Sequence, residues 1–194
     1  MRLILFILLT ASLIQTVHAS TNTTFVAFDL ETTGFSSQSD RIIEIAAVKF
    51  QNDKALSGTN WLVNPGISIP QNVIRIHGIT DSMVTNQPAF KDVLPEFKAF
   101  IGNSVLLSYN APFDVRFLKA ETDRNNLPAI TNRVIDVLPL ARKWFPDAPS
   151  HDLQTLAGYL GIKPDASHRA HADSQTLMEV FMMGQKKAPT EILQ

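Results

Sequence analysis

Four acidic residues stand at positions where they could share a metal ion. Asp29 and Glu31 end an apolar run of β-forming residues, and side chains two apart on a strand point to the same face. Asp114 opens a predicted helix, and Asp173 lies early in the last one. Each alone also fits a solvated strand end or a favourable charge at a helix N-terminus. Together they predict an oxygen-rich site suited to Mg²⁺ or Mn²⁺ rather than zinc.

The segment SHRAHAD (residues 167–173) adds two histidines beside the last of these carboxylates. A neutral imidazole near its ordinary pKa suits a general base. His171 precedes Asp173 by two residues, about 200° around a helix, so we expect it to point elsewhere and lie at the surface. His168 precedes Asp173 by five residues, about 500°, so it can face the same site only from a loop ahead of the helix.

The elements that must position these residues alternate in type along the chain. Apolar runs at residues 25–30 and 41–50, and then TNWLVNP ending at Pro65, predict three strands in an antiparallel meander, with QNDKALSG as a polar turn. SVLLSYN and RVIDV predict two later strands. The predicted helices are DSMVTNQ, AFKDVLPEFKAFIG, FDVRFLKAETDR, VLPLARKWF, SHDLQTLAGYLG and AHADSQTLMEVFMMGQ. This order predicts an α/β fold with a mixed sheet and helices on its faces.

Composition excludes several classes of protein. The length of 194 residues, 45% of them hydrophobic, suits one domain with a substantial core. Seventeen basic residues against 18 acidic ones disfavour a protein that coats nucleic acid through bulk positive charge. The absence of cysteine excludes disulfides, thiolate catalysis and cysteine-ligated zinc.

Residues 1–19 are predicted to be a signal peptide. Arg2 precedes a short apolar run, and Val17 and Ala19 stand before a possible cleavage site at Ser20. The apolar run is shorter than the roughly 20 residues of a spanning helix, so we expect no stable membrane insertion. The prediction is an exported protein, periplasmic or secreted; the alternative is a cytoplasmic protein with an ordinary N-terminal helix. N-terminal sequencing of the protein from its own cells distinguishes the two.

Three ordered segments resemble the motifs of a known enzyme family. DLETTG (residues 29–34), NAPFD (110–114) and HRAHAD (168–173) resemble the motifs of the DEDDh 3′–5′ exonucleases, especially the proofreading epsilon-type exonucleases of bacterial DNA polymerase III. The connecting segments are similar too, so the resemblance covers roughly residues 24–183. It implies a ribonuclease-H-like mixed sheet with helices on both faces, and an exonuclease domain at residues 20–194.

The resemblance also implies roles for the site residues. By the family pattern, Asp29, Glu31, Asp114 and Asp173 hold two Mg²⁺ or Mn²⁺ ions, with Asp29 bridging both. Such a pair of ions activates a water and stabilises the leaving 3′ oxygen in an in-line attack on phosphate. The family spacing of histidine, four residues and aspartate selects His168 as the general base that accepts a proton from this water.

Residues around the motifs are candidates for substrate contacts. Thr32 and Thr33 could contact the terminal nucleotide or serve only the turn. Phe35 could stack on the terminal base, because stacking tolerates any base, or pack the turn. Asn110 could orient the site or begin a loop. 

Three further residues near the motifs carry expectations of their own. His77 is expected to be a structural hydrogen-bonding residue. Glu44, on the second strand facing the first, could support the site from outside it. Tyr109 stands where the family often has histidine, and we expect no consequence for the chemistry.

The function that follows is hydrolysis of phosphodiester bonds from the 3′ end of DNA, with release of nucleoside 5′-monophosphates. The expected partner is a nucleic acid with a free 3′ end, single-stranded DNA being favoured. The alternatives are an RNA or oligoribonucleotide exonuclease, a binding module on an inactive nuclease fold, and a cytosolic polymerase-associated proofreader. The complete set of site residues argues against the inactive module. The short segment after Asp173 and the predicted signal peptide give no evidence of a polymerase partner.

Overall fold

Five strands and seven helices make up residues 23–163 and 169–188, the part of the chain that this computed structural model describes. The predicted signal peptide and His168 lie outside the described residues and stay predictions. In chain order the elements are β1 (Phe25–Thr32), β2 (Ile42–Gln51), β3 (Lys54–Leu62), α1 (Gln71–His77), α2 (Asp81–Val84), α3 (Phe90–Ile101), β4 (Val105–Ser108), α4 (Ala111–Arg124), β5 (Val134–Asp136), α5 (Val137–Trp144), α6 (Leu153–Tyr159) and α7 (Ala170–Lys187).

The strands form one mixed sheet in the order β3-β2-β1-β4-β5. β1, β2 and β3 pair antiparallel, which confirms the predicted meander. β4 and β5 run parallel to β1, as expected once helices connect successive strands. The predicted α/β class with a mixed sheet is therefore confirmed.

Helices cover both faces of the sheet because β1 is apolar on both sides. Phe25 and Ala27 face a core built with α5, α6 and α7. Val26, Phe28 and Leu30 face a second core built with α3 and α4. The first face continues along β1 to Asp29 and Glu31, so these two carboxylates point towards the side that α7 covers. Among the described residues, no helix is long and apolar enough to cross a membrane.

Two local predictions differ from the structure. The turn predicted at QNDKALSG is confined to Asn52 and Asp53, whose φ angles of 49° and 59° reverse the chain, and β3 already begins at Lys54. Exposed residues fill the first part of β3 because it is an edge strand, so its sequence lacks an apolar pattern. The helix α1 was not predicted. This helix is short. The sequence signal for its end was Gly78, which adopts a left-handed conformation with φ 73° directly after the helix.

Candidate active site

Three carboxylates meet where the end of β1 lies against the start of α7. Asp29 and Glu31 share one face of β1, and Asp173 lies in the first turn of α7. One oxygen of each lies within 4.8 Å of an oxygen of the other two. These three residues, called the carboxylate cluster below, are close enough to share a divalent cation, as the sequence predicts for them.

Asp114 lines the same pocket as the carboxylate cluster. It lies in the first turn of α4, just after β4, and is only 3% exposed. The Ser108 hydroxyl donates a hydrogen bond of 2.5 Å to Asp114 Oδ2 and fixes its orientation. A pocket of about 740 Å³, called the active-site pocket below, is lined by Asp114 together with the carboxylate cluster. Because β1 and β4 are parallel, their carboxyl ends bring these residues to one edge of the sheet.

Asp173 is held from a neighbouring helix. Gln154 of α6 donates a short hydrogen bond from Nε2 to Asp173 Oδ1, and Asp173 is 8% exposed. The backbone N–H of Asp173 donates to Arg169 O at 3.0 Å, in the first turn of α7. The first contact orients the carboxylate, and the second fixes the backbone turn that carries it.

The carboxylates resist ionisation when no cation is present. Burial, followed by the charge of Asp114, raises the pKa of Asp29 well above its ordinary value. Burial and then Asp173 raise the pKa of Glu31 to about 8. Burial raises the pKa of Asp114 to about 7, against the opposing hydrogen bond from Ser108. Clustered oxygen ligands whose negative charges oppose one another fit a divalent cation, which would offset that repulsion.

This repulsion predicts how the stability of the metal-free protein depends on pH. The pKa values of Glu31 and Asp114 are higher in the folded chain than their ordinary 4.5 and 3.8, so folding takes up protons between these limits. The stability that protonated Glu31 and Asp114 contribute is therefore fully present below about pH 4. It is lost as pH rises through their folded pKa values of about 8 and about 7. We expect melting in excess EDTA to be on the order of 5 °C lower near pH 8.5 than near pH 6.

The matched control for this pH prediction is Glu31→Gln. Its melting temperature should fall less between the two pH values, because one of the titrating groups is gone. Comparing the two proteins at each pH cancels the contribution of the histidines. Equal slopes in both proteins would contradict an elevated pKa for Glu31. Differential scanning calorimetry measures both slopes.

Of the two histidines in the last motif, the structure describes only His171. His168, the predicted base, lies outside the described residues. His171, which was predicted to lie at the surface, is half-buried, so that prediction is wrong. A Cβ added at Gly58 of β3 would lie 3.1 Å from His171 Cε1, which places the ring against the sheet. The α7 spacing explains this, since residue 171 faces a different direction from residue 173 and here meets β3.

The two threonines of the first motif are placed differently. Thr32 lines the active-site pocket, and its hydroxyl donates to Gly34 O at 2.6 Å. Thr33 is 1% exposed and does not line this pocket; its hydroxyl accepts from Arg41 N at 3.0 Å and donates to Asp40 Oδ1 at 3.3 Å. The Thr33 side chain therefore serves the turn.

Gly34 is required by the same turn. A Cβ at Gly34 would overlap the Asp40 carboxylate, which also accepts a hydrogen bond of 2.8 Å from Ser36 N. The glycine of the first motif thus allows the loop after β1 to fold back closely.

Phe35 and Asn110 stand at the rim of the active-site pocket. Phe35 is 70% exposed and touches Phe113 by ring edge, with centroids 6.4 Å apart. Asn110 is exposed and left-handed, with φ 68°, and its backbone N–H donates to Asp136 Oδ1 at 3.0 Å. Both residues line the active-site pocket, and their contact with substrate stays a prediction.

Tyr109 and His77 line the active-site pocket, and each has one polar atom that is hydrogen-bonded within the fold. The Tyr109 hydroxyl donates to His151 O at 2.8 Å, and burial raises the pKa of Tyr109 to about 12. His77 Nδ1 accepts from Ile79 N at 3.0 Å, the structural hydrogen bond that was expected of it. Burial lowers the pKa of His77 below its ordinary value.

Three functional contacts were missed by sequence reasoning. Ser108 and Gln154 orient two of the carboxylates, and Arg116 lines the active-site pocket while donating to Phe35 O at 3.2 Å. Ser108 could have been suspected, since it ends β4 six residues before Asp114. No signal marked Gln154, because it meets Asp173 only after α6 and α7 pack.

The mixed sheet with clustered carboxylates at one edge defines a nuclease-like hydrolytic site. A family model described as Exonuclease matches residues 26–181, and the chain belongs to this exonuclease family. The predictions of an exonuclease and of its family are therefore confirmed.

Relatives from bacteria support the assignment at the level of sequence. The DNA polymerase III subunit epsilon of Treponema pallidum is 40% identical over 159 residues, which cover 81% of this chain and 74% of the relative. The PolC-type DNA polymerase III of Clostridium perfringens is 40% identical over 168 residues, covering 87% of this chain. The chain spans only 12% of the length of that polymerase.

Solved structures support the assignment at the level of fold. Exonuclease X in complex with 5′ overhanging duplex DNA matches with a TM-score of 0.71 and 25% identity, covering 85% of this chain and 93% of that one. Exonuclease I of E. coli in complex with a dA16 oligonucleotide matches with a TM-score of 0.77 and 20% identity, covering 86% of this chain and 42% of that one. The ribonuclease-H-like exonuclease fold is confirmed.

Proposed function

We propose that this protein is a metal-dependent 3′–5′ exonuclease that hydrolyses DNA from its 3′ end and releases nucleoside 5′-monophosphates. The observation that carries the proposal is the carboxylate cluster, whose oxygens approach within 4.8 Å of one another in a pocket that Asp114 also lines. Such a cluster has little structural use, because like charges destabilise one another unless a cation offsets them.

The four carboxylates would hold two Mg²⁺ or Mn²⁺ ions. When bound, such ions supply activation of the attacking water and stabilisation of the charge on the leaving 3′ oxygen. The chain contributes orientation: Ser108 fixes Asp114 and Gln154 fixes Asp173. Groups held in place before the reaction need no reorganisation during it.

His168 is the proposed general base. It accepts a proton from the attacking water, and an imidazole with a pKa near neutrality can do so at physiological pH. The support for His168 over His171 is the motif spacing together with the packing of His171 against β3.

Single-stranded DNA is the proposed substrate. Phe35 offers an exposed ring at the rim of the active-site pocket, which suits stacking on a terminal base without sequence preference. Arg116 adds a positive charge at the same rim for a phosphate. Exonuclease X, which is 25% identical to this chain, was solved with duplex DNA, and relatives 40% identical to this chain are named as DNA polymerases, which supports DNA over RNA as its substrate.

A second candidate function is proofreading for a DNA polymerase. The observation that favours it is that relatives 40% identical to this chain are named as DNA polymerase III epsilon or PolC-type. This candidate keeps the same chemistry and adds a polymerase partner. Copurification of the tagged protein with a polymerase from its own cells would support it.

Product analysis tests the proposed activity. The purified protein should shorten 5′-labelled single-stranded DNA one nucleotide at a time from the 3′ end, and should do so more slowly on RNA of the same sequence. Activity should require Mg²⁺ or Mn²⁺ and a free 3′ hydroxyl. An Asp29→Ala preparation, purified identically, controls for contaminating nucleases.

Two results would count against this activity. One is full activity in excess EDTA, which excludes the metal mechanism. The other is rapid cleavage of closed circular DNA, which has no 3′ end. Faster degradation of RNA than of DNA would keep the mechanism and change the substrate.

A further inference from the structure

Glu44 is a buried charge just outside the carboxylate cluster. It lies on β2 directly opposite Glu31 of β1, and its side chain is wholly buried. Two glutamates facing each other across an antiparallel pair repel, and an uncompensated buried charge is costly. A carboxylate at this position must therefore be compensated by nearby donors.

Donors from two parts of the fold surround the Glu44 carboxylate. Arg169 binds it with both ends of its guanidinium, Nη2 to Oε1 at 2.7 Å and Nε to Oε2 at 3.2 Å. Ala170 N donates to Oε2 at 3.1 Å, and Asn60 Nδ2 donates to Oε1 at 3.1 Å. Each oxygen thus accepts two hydrogen bonds.

These contacts fix the beginning of α7. Arg169 is the N-terminal cap residue of α7 and makes no capping bond with its own side chain, and Ala170 is the first helical residue. Glu44 takes over the capping role from the neighbouring strand, since it accepts from a free N–H of the first turn. A carboxylate there also interacts favourably with the positive end of the helix.

The same turn carries Asp173. Asp173 comes three positions after Ala170, which is less than one helical turn. A shift or rotation at the start of α7 therefore moves the Asp173 carboxylate relative to Asp29 and Glu31. The Glu44 clamp lies on the strand next to β1, so it ties α7 to the sheet that carries the other two carboxylates.

We propose that Glu44 is a positioning residue for the metal site: by clamping Arg169 and Ala170 it sets where α7 begins and holds Asp173 within reach of Asp29 and Glu31. This inference rests on the proposed function, because it assumes that these carboxylates bind a divalent cation. Outer contacts of this kind typically change metal affinity ~10–100-fold when they are lost.

Glu44→Gln is the direct test. The amide keeps the shape of the side chain. Its NH₂ group replaces one carboxylate oxygen, however, and cannot accept the two hydrogen bonds that this oxygen accepted. Mn²⁺ binding to the protein without nucleic acid, measured by calorimetry, should weaken ~10–100-fold. The exonuclease rate should recover at high Mn²⁺ concentration, while the KM for DNA stays close to the parent value.

Arg169→Lys is the second variant, in case Glu44→Gln folds poorly. Lysine keeps the charge but loses the two-pronged contact. Its side chain is 36% exposed in the parent, so the chain should tolerate the change. Mn²⁺ affinity should fall about tenfold, the lower end of the range for an outer contact.

Glu121→Gln is the matched control. Glu121 is also a buried glutamate paired with an arginine, Arg124, at 2.9 Å, but its partners Arg124, Ile42 and Asn125 do not belong to the start of α7. Its loss should lower the melting temperature and leave Mn²⁺ affinity unchanged. A merely structural role for Glu44 would make the two glutamine variants behave alike.

The outcomes separate this inference from the proposed function. Parent-like Mn²⁺ affinity in Glu44→Gln, or equal weakening in Glu121→Gln, would overturn the positioning role. A parent protein that binds Mn²⁺ but degrades no nucleic acid would overturn the exonuclease proposal and leave the affinity comparison decisive. A parent that binds no Mn²⁺ would overturn both.

Discussion

Asp29→Ala is expected to abolish nuclease activity while the metal-free protein still folds. Asp29 belongs to the carboxylate cluster, and the charges of Asp114, Glu31 and Asp173 all act on it, so its loss removes ligand oxygens from the site. Bound cations supply several kcal/mol of transition-state stabilisation, and about 1.4 kcal/mol is a tenfold change in rate, so we expect a loss of at least ~10³-fold.

The stability of the same variant should move in the opposite direction. The raised pKa of Asp29 shows that the folded, metal-free protein holds this charge at a cost. Removing it relieves repulsion within the cluster, so the metal-free variant should melt at or above the temperature of the metal-free parent near pH 8. Calorimetry in excess EDTA measures this. A clearly lower melting temperature would assign Asp29 a structural role.

Local sequence patterns predicted most of the strands and helices of the fold. The apolar residues of β1 and β2 alternate or run continuously because both faces of these strands are covered, and such runs are recognisable as strands. α3 places Phe90, Val93, Leu94, Phe97 and Ile101 on its buried side, the period of an amphipathic helix. The first part of β3 had no such pattern, because an edge strand exposes its side chains to water.

The sequence predicted the carboxylates of the site but not the residues that orient them. Asp29 and Glu31 lie in the last part of β1 and Asp114 lies just after β4, at an edge where a mixed sheet gathers functional groups, so spacing and topology together placed them. Gln154 depends instead on the packing of α6 against α7. The surface prediction for His171 failed for a related reason: helical spacing gives a direction around the axis, but only the packed sheet shows that β3 lies in that direction.

The Glu44 contacts show the same limit more sharply. Glu44 and Arg169 are 125 residues apart, and nothing in either segment indicates a pair. The sequence indicated that Glu44 faces the first strand and could support the site, but it gave neither its partners nor the helix that it contacts. Its role at the start of α7 follows from the fold, because β2 lies beside β1 and beneath that helix.

His168→Ala is expected to lower the exonuclease rate ~10²–10⁴-fold, the usual loss on removing a general base. The four carboxylates are untouched by this change, so Mn²⁺ affinity should stay at the parent value. His171→Ala is the matched comparison in the same segment. It removes a half-buried ring beside Gly58, so it should cost about 1 kcal/mol of stability and little rate.

Single-turnover rates at saturating Mn²⁺, with melting temperatures for both variants, decide between the two histidines. The expected pattern is a crossed one: the His168 variant is slow and stable, and the His171 variant is fast and less stable. A histidine base also predicts that the parent rate falls at acidic pH, and that this fall disappears in His168→Ala. Equal rate losses in the two variants, with metal binding intact, would show that His168 is not the base. The loss of His168 would then slow the reaction no more than the loss of a ring that packs against β3.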